Sequence, residues 1–129
     1  MQSSIPADLL EIYRSYEAAL FANEMHKITD YFADSPLTVR YGMFEVQKGH
    51  AEIALHNARQ PVIDRRFTAL DLEGLEIAPG VIVLTTTFTR DSDGATGRQS
   101  QVWVQGENGW KIAHAHVSLA PLTRTGLPA

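Results

Sequence analysis

The chain has 129 residues, 44% of them apolar and 20% charged, with a net charge of −4 and no cysteine. That length suits one domain, residues 1–129, around one core. The acidic balance offers no basic field to nucleic acid or an anionic membrane, and no disulfide, thiol nucleophile or cysteine-ligated metal can form.

The lack of cysteine fits a reducing compartment. No run approaches the about 18 apolar residues of a membrane-spanning helix. The opening MQSSIPADLL lacks the basic and then apolar order of a secretory leader. The expectation is a cytoplasmic protein. No internal repeat, heptad series or low-complexity tract interrupts it.

Pro6 fits a first helical turn, with Asp8 close behind it at the positive end of the helix dipole. Leu9, Ile12, Tyr13, Tyr16 and Leu20 then fall at helical spacing and make one apolar face. Asn23 reads as the cap of a second helix, Glu24 to Phe32, with Ile28, Tyr31 and Phe32 inward. Asp34-Ser-Pro36 is a turn, Leu37 to Tyr41 a strand, and Gly42 to Lys48 an irregular hairpin. Gly49 opens a third helix carrying Ile53, Ala54 and Asn57, which Gln60-Pro61 stops.

From Arg66 onward the pattern changes to strands. Arg66 to Ile77, Val81 to Arg90, Arg98 to Gln105 and Trp110 to Leu119 are separated by turns at Pro79-Gly80, Asp91 to Gly94 and Glu107 to Gly109. Helices first and a strand meander second argue an α+β fold, with the N-terminal helices on the concave face of a strongly curved antiparallel sheet. Its core spans about residues 8–119, and the tail TRTGLPA reads as a frayed end. A sheet that bends round its helices closes at one end and leaves room for a pocket at the other.

The last strand poses a question. In GWKIAHAHVS, strict alternation puts Trp110, Ile112, His114, His116 and Ser118 on one face. An apolar face that ends in two imidazoles and a hydroxyl implies that those three approach the pocket. The strand before it is ambiguous in register. Arg98, Ser100, Val102 and Val104 share one face, and Gln99, Gln101, Trp103 and Gln105 the other. If the second set faces outward, Trp103 is a dimer contact; if it faces inward, Gln99 or Gln101 can orient an amide-bearing ligand.

Three segments, TVRYG (Thr38 to Gly42), GRQSQVWV (Gly97 to Val104) and GWKIAHAHVS, together with the helical first third, resemble the cystatin-like cone of the SnoaL and nuclear-transport-factor superfamily. More narrowly they resemble the oxalurate-catabolism proteins and the dicarboxyurea decarboxylase of cyanuric acid breakdown. The resemblance covers roughly Asp8 to Leu119. It implies a small-molecule pocket enzyme without a cofactor, a lyase that decarboxylates a dicarboxyurea-type or related ureide carboxylate. A two-fold homodimer is the default expectation in every reading, and a functional association with an amidase of ureide breakdown is the further partner expected. The ending HAHVS is similar as well to the last strand of the calmodulin-dependent kinase association domain. The alternative is therefore a non-catalytic carboxylate-binding or oligomerisation module, because this fold by itself names no reaction.

Under the enzyme reading Arg40 clamps a substrate carboxylate, since a guanidinium keeps its proton and a buried one needs an anion. Its plainer reading is a surface arginine, or one paired with an internal Asp or Glu. Tyr16, on the inward stripe of the first helix, supplies a proton or hydrogen bond, or else is a packed core tyrosine. Gln101, His116, Ser118 and His114 shape the ligand's surroundings, although His114 stands where the family pattern often has a small residue. His114 and His116 lack a third ligand at useful spacing for a metal. Arg59, Arg65 and Arg66 read as a solvated basic cluster, with at most one entering the pocket rim. His26, His50 and His56 read as helix-surface residues. Ser118 has no acid to complete a hydrolytic triad.

Overall fold

Pro6, at φ −53°, sits immediately before α1 (Ala7–Phe21), where its fixed ring angle suits a helix start. The structure, a computed structural model, describes residues 2–121; the expected frayed tail, Thr123 to Ala129, lies outside them. Leu9, Tyr13, Tyr16 and Ala19 are the buried face of α1. At the end of α1, Asn23 takes a positive φ of 58°. Its N–H reaches the Leu20 carbonyl at 3.1 Å, and the Glu24 N–H reaches Ala19 at 2.9 Å. These two bonds are the Schellman pattern, in which a left-handed residue closes a helix. Asn23 therefore ends α1 and does not cap α2 (Met25–Asp30), whose N-terminal cap is Glu24.

β2 (Val39–Tyr41) and β3 (Val46–Lys48) form a small hairpin before α3 (His50–Ala58). Gly49 enters α3 at φ 89°, and a side chain there would press on the Pro36 carbonyl at 3.3 Å. The Asn57 amide donates to Thr29 Oγ1 at 2.9 Å, a buried tie between α3 and α2.

Four long strands follow: β4 (Phe67–Ala78), β5 (Val81–Arg90), β6 (Thr96–Gly106) and β7 (Gly109–Leu119). With the two-residue β1 (Gln2–Ser3), the sheet order is β1-β4-β5-β6-β7-β2-β3. One pairing departs from the antiparallel meander: β2 lies parallel to β7. Leu9, Tyr13, Ile28, Phe32, Ile53, Ile82, Leu84, Trp103 and Ile112 form the core between helices and sheet. Each such aliphatic side chain contributes about 1.5–3 kcal/mol by leaving water. Among the described residues no helix is long and apolar enough to cross a membrane.

The structure resolves the register that the sequence left open. Gln101 and Trp103 point inward with Ile82 and Leu84, and Trp103 is fully buried. It is therefore no dimer contact. In β7 the alternation breaks. Trp103 pairs with Ile112, but Val102 pairs with His114, so Ala113 has no partner. This bulge reverses the faces beyond it. Trp110 and Ile112 enter the core, as does Ala115, whereas His116 is exposed. His114, His116 and Ser118 pair with Val102, Ser100 and Arg98 on the outer face. The expectation that all three approach the pocket is overturned.

Candidate active site

A cavity of about 700 Å³ opens between α1, the end of α3 and the wide end of the sheet. Tyr16, Arg40, Glu45, His56, Gln60, Asp64, Arg65, Arg90, Ser92 and Gln99 are among its polar lining; Leu20, Phe32, Phe67, Phe88, Ala115 and Val117 are among its apolar wall. Such a mostly apolar hollow with a few convergent polar groups is the ordinary form of a small-ligand site.

Arg40 faces inward because its register partners do. Across β2 it pairs with Ala115 on one side and Gln47 on the other, and both are buried. Its Nη1 donates to Glu45 Oε1 and to Gln47 Oε1, each at 2.7 Å. The plainer reading of Arg40, pairing with an internal acid, is thus part of the answer. The side-chain hydrogen bonds of Arg40 among the described residues both use Nη1, so the Nε and Nη2 edge remains for a ligand. Gly42 makes the Glu45 contact possible. A Cβ there would lie 1.9 Å from Glu45 Oε1 and 2.8 Å from Arg40 Nη1.

Glu45 is held further by the Phe44 N–H at 3.2 Å, and His56 Nε2 lies 3.5 Å from Glu45 Oε1. Burial works to raise the Glu45 carboxyl, but the Arg40 hydrogen bond and charge outweigh it and hold it below the usual range. His56 is shifted down, first by burial and then by the Arg40 charge, so it is neutral at pH 7. His56 is not the helix-surface residue expected. It lies three residues after the buried Ile53 and beside the buried Asn57, on the inward stripe of α3.

Arg65 also lines the cavity. Its Nε donates to Asn23 Oδ1 at 2.9 Å and its Nη2 to the Pro61 carbonyl at 2.7 Å. The Asn23 side chain in addition bonds both the N–H and the carbonyl of Ile63, at 3.2 and 2.8 Å. One left-handed residue thus fixes the segment that carries Arg65. Burial lowers the Arg65 pKa, and the Arg40 charge lowers it further, so the two guanidinium groups act on one space. Arg90, a third guanidinium on the wall, is neutralised by Asp93.

Tyr16 enters from α1, packed edge-to-face on Tyr31 at 5.5 Å and on Trp103 at 6.4 Å. Burial raises its pKa; the Arg40 charge and the Gln99 and Gln101 side chains oppose this without cancelling it. The phenol keeps its proton at neutral pH. Gln101 lies beneath the wall and not in it, accepting from Trp103 Nε1 at 2.9 Å.

The outward histidines meet a ring. Tyr41 projects to the outer face beside His116, its register partner, and stacks edge-on with His114 at 5.5 Å and His116 at 5.2 Å. Ser118 Oγ takes a 3.2 Å hydrogen bond from Arg98 on the same face. Of the six residues singled out from sequence, the structure brings Tyr16 and Arg40 into the cavity, sets Gln101 behind it, and leaves His114, His116 and Ser118 outside. Glu45, Gln47 and Gln60 went unrecognised; His56 read as a helix-surface residue, and Arg65 as part of a solvated basic cluster of which one member could enter the pocket rim. Helical spacing on α3 could have found His56; the loop-borne Glu45 and Arg65 carry no periodic signal.

A helix-lined cone with its polar groups at the wide end is the architecture of cystatin-like and nuclear-transport-factor-2-like proteins. A cystatin-like fold protein from Burkholderia xenovorans superposes with a TM-score of 0.83 at 32% identity, over 95% of this chain and 99% of that one. A DUF3225-family protein of unknown function from Pectobacterium atrosepticum gives a TM-score of 0.83 at 32% identity, over 89% and 90% of the two chains. A nuclear transport factor 2-like protein from Salmonella enterica shares the fold, at a TM-score of 0.71 and 22% identity over 95% of each chain. No curated protein matches the chain. Residues 2–122 match the AtzH-like family model, and the chain belongs to the AtzH-like family.

Proposed function

We propose that the cavity is the active site of a cofactor-free lyase that removes carbon dioxide from an N-carboxylated urea of the dicarboxyurea type. The observation that carries this reading is the meeting of two groups in one cavity: a phenol that burial keeps protonated, and a guanidinium with an edge left for an anion.

Arg40 holds the carboxylate that is lost, with Glu45 and Gln47 fixing the guanidinium from behind. The bond between nitrogen and the carboxylate carbon breaks, its electron pair stays on nitrogen, and neutral carbon dioxide leaves. Tyr16 gives its proton to that nitrogen, and solvent restores it. The net change is one N-carboxylate and one proton to one N–H and one carbon dioxide. Apolar wall excludes water and strengthens both contacts. Arg65 supplies a second positive group, which suits a substrate with a second carboxylate. The same reading places the protein beside an amidase that consumes the decarboxylated ureide, and takes it to be a homodimer.

The test is carbon dioxide release from freshly generated dicarboxyurea by wild type, Arg40→Ala and Tyr16→Phe. Release by wild type, lost in both variants, supports the lyase. A thermal shift with a small carboxylate but no release would point instead to a carboxylate-binding module.

A further inference from the structure

We propose that Gln101 is a positioning residue whose amide N–H, unpaired among the described residues, closes onto the Tyr16 oxygen and so turns the Tyr16 hydroxyl proton toward the cavity. This deepens the lyase reading and rests on it where Tyr16 is taken as the proton donor.

Gln101 is 1% exposed, and its Nε2 is a buried nitrogen with no hydrogen-bond partner among the described residues. Buried amides without partners are rare enough to need a reason. The orientation of this one is set from the other end. Trp103 Nε1 can only donate, and it donates to Gln101 Oε1 at 2.9 Å. Trp103 is itself fully buried and cannot turn. The oxygen of the amide therefore faces the indole, and the NH₂ faces the other way. The ring of Tyr16 packs edge-on against that same indole at 6.4 Å. Gln99, two residues along the same face of β6, lines the cavity beside Tyr16.

A phenol has one proton and an oxygen that accepts. An amide donor behind the oxygen takes its accepting side and leaves the proton to point away, into the cavity where the ligand lies. An acceptor in the same place would draw the proton backward and disarm the group. The pull of the Gln101 and Gln99 side chains on Tyr16 is in the direction that donors give. This accounts for a glutamine in a core layer otherwise filled by Ile82, Leu84 and Trp103.

One other oxygen competes for the same amide. The Tyr13 hydroxyl is also buried without a hydrogen-bond partner among the described residues, and its ring lies 6.1 Å from that of Tyr16. The experiment separates the two. The Gln101 side-chain amide protons are followed by ¹H–¹⁵N NMR in wild type, Tyr16→Phe and Tyr13→Phe, substitutions that keep each ring and remove only its oxygen. The expected result is one downfield, slowly exchanging Nε2 proton that moves upfield in Tyr16→Phe and stays in Tyr13→Phe. No movement in Tyr16→Phe, or movement only in Tyr13→Phe, overturns the proposal. Gln101→Leu then tests the consequence: kcat for dicarboxyurea falls about tenfold or more while KM and the carboxylate-induced thermal shift hold. Full turnover in Gln101→Leu overturns the orienting role. If Tyr16→Phe itself turns over normally while the resonance still moves, the proton-donor reading fails and the hydrogen bond stands.

Discussion

Ile112 and His114 stand two residues apart in β7, yet Ile112 is fully buried in the core and His114 projects to the outer face beside Tyr41. Ala113, unpaired between them, is the cause. Because a strand alternates with period two, a single extra residue turns everything beyond it over. It moves two imidazoles out and brings Ala115 and Val117, small and apolar, to the cavity wall.

Deleting Ala113 should leave a regular strand with the same faces, because Ile112 then pairs with Trp103 and His114 with Val102 without a gap. His114 and His116 should stay outward, and Ala115 and Val117 should stay on the cavity wall. Urea denaturation is expected to stay cooperative, with stability lower by no more than about 2 kcal/mol. Loss of the cooperative transition would mean that the strand needs the bulge itself and not only the register it sets.

Arg40→Ala should lower kcat/KM at least tenfold, since a charged hydrogen bond to a carboxylate contributes about 1.5–3 kcal/mol. The thermal shift induced by a small carboxylate should disappear with it. A loss smaller than tenfold would contradict the clamp.

Gly42→Ala separates site geometry from fold. The new methyl collides with the end of the Glu45 side chain, which can swing aside, so stability should fall by less than about 1 kcal/mol. Glu45 then no longer holds Arg40 Nη1. Carboxylate affinity should change by several-fold while Tm barely moves, which paired calorimetry and ligand titration would reveal.

Asn23→Ala removes the anchor of residues 61–65 and leaves a β-carbon at φ 58°. A destabilisation of about 1–2 kcal/mol is expected, with a larger loss of affinity for dicarboxylates than for monocarboxylates as Arg65 loosens. Asn23→Gly should regain part of the stability and none of the selectivity.

Two acid-side steps should appear in Tm against pH. His56 and Glu45 both have pKa values lowered in the folded state, from 6.5 and 4.5 respectively. The folded state thus binds protons less readily than the unfolded chain. The stability tied to each is present above those unfolded values and is lost as pH falls through the lower folded ones. His56→Gln should remove the first decline, below about pH 6.5, and keep the second.

The local features of the fold were legible in the sequence. The apolar stripe of α1, the Gly49 start and Gln60-Pro61 stop of α3, and the turns between the long strands mark the α+β order, because each depends on neighbours a few residues away. Arg40 stood out because TVRYG is among the motifs that carry the family resemblance, and Tyr16 because it lies on the inward stripe of α1. What sequence did not determine was every feature that depends on pairing between distant segments. The parallel join of β2 to β7 chose the face of Arg40; the unpaired Ala113 chose the face of the histidines; Trp103, ambiguous in register, proved to be core. Glu45, His56 and Arg65 reach one cavity only after a hairpin, a helix and a loop converge. The physical reason is that a side chain's face in a sheet is a property of hydrogen-bond register between strands, and a one-residue change in that register reverses it without altering the composition of the strand.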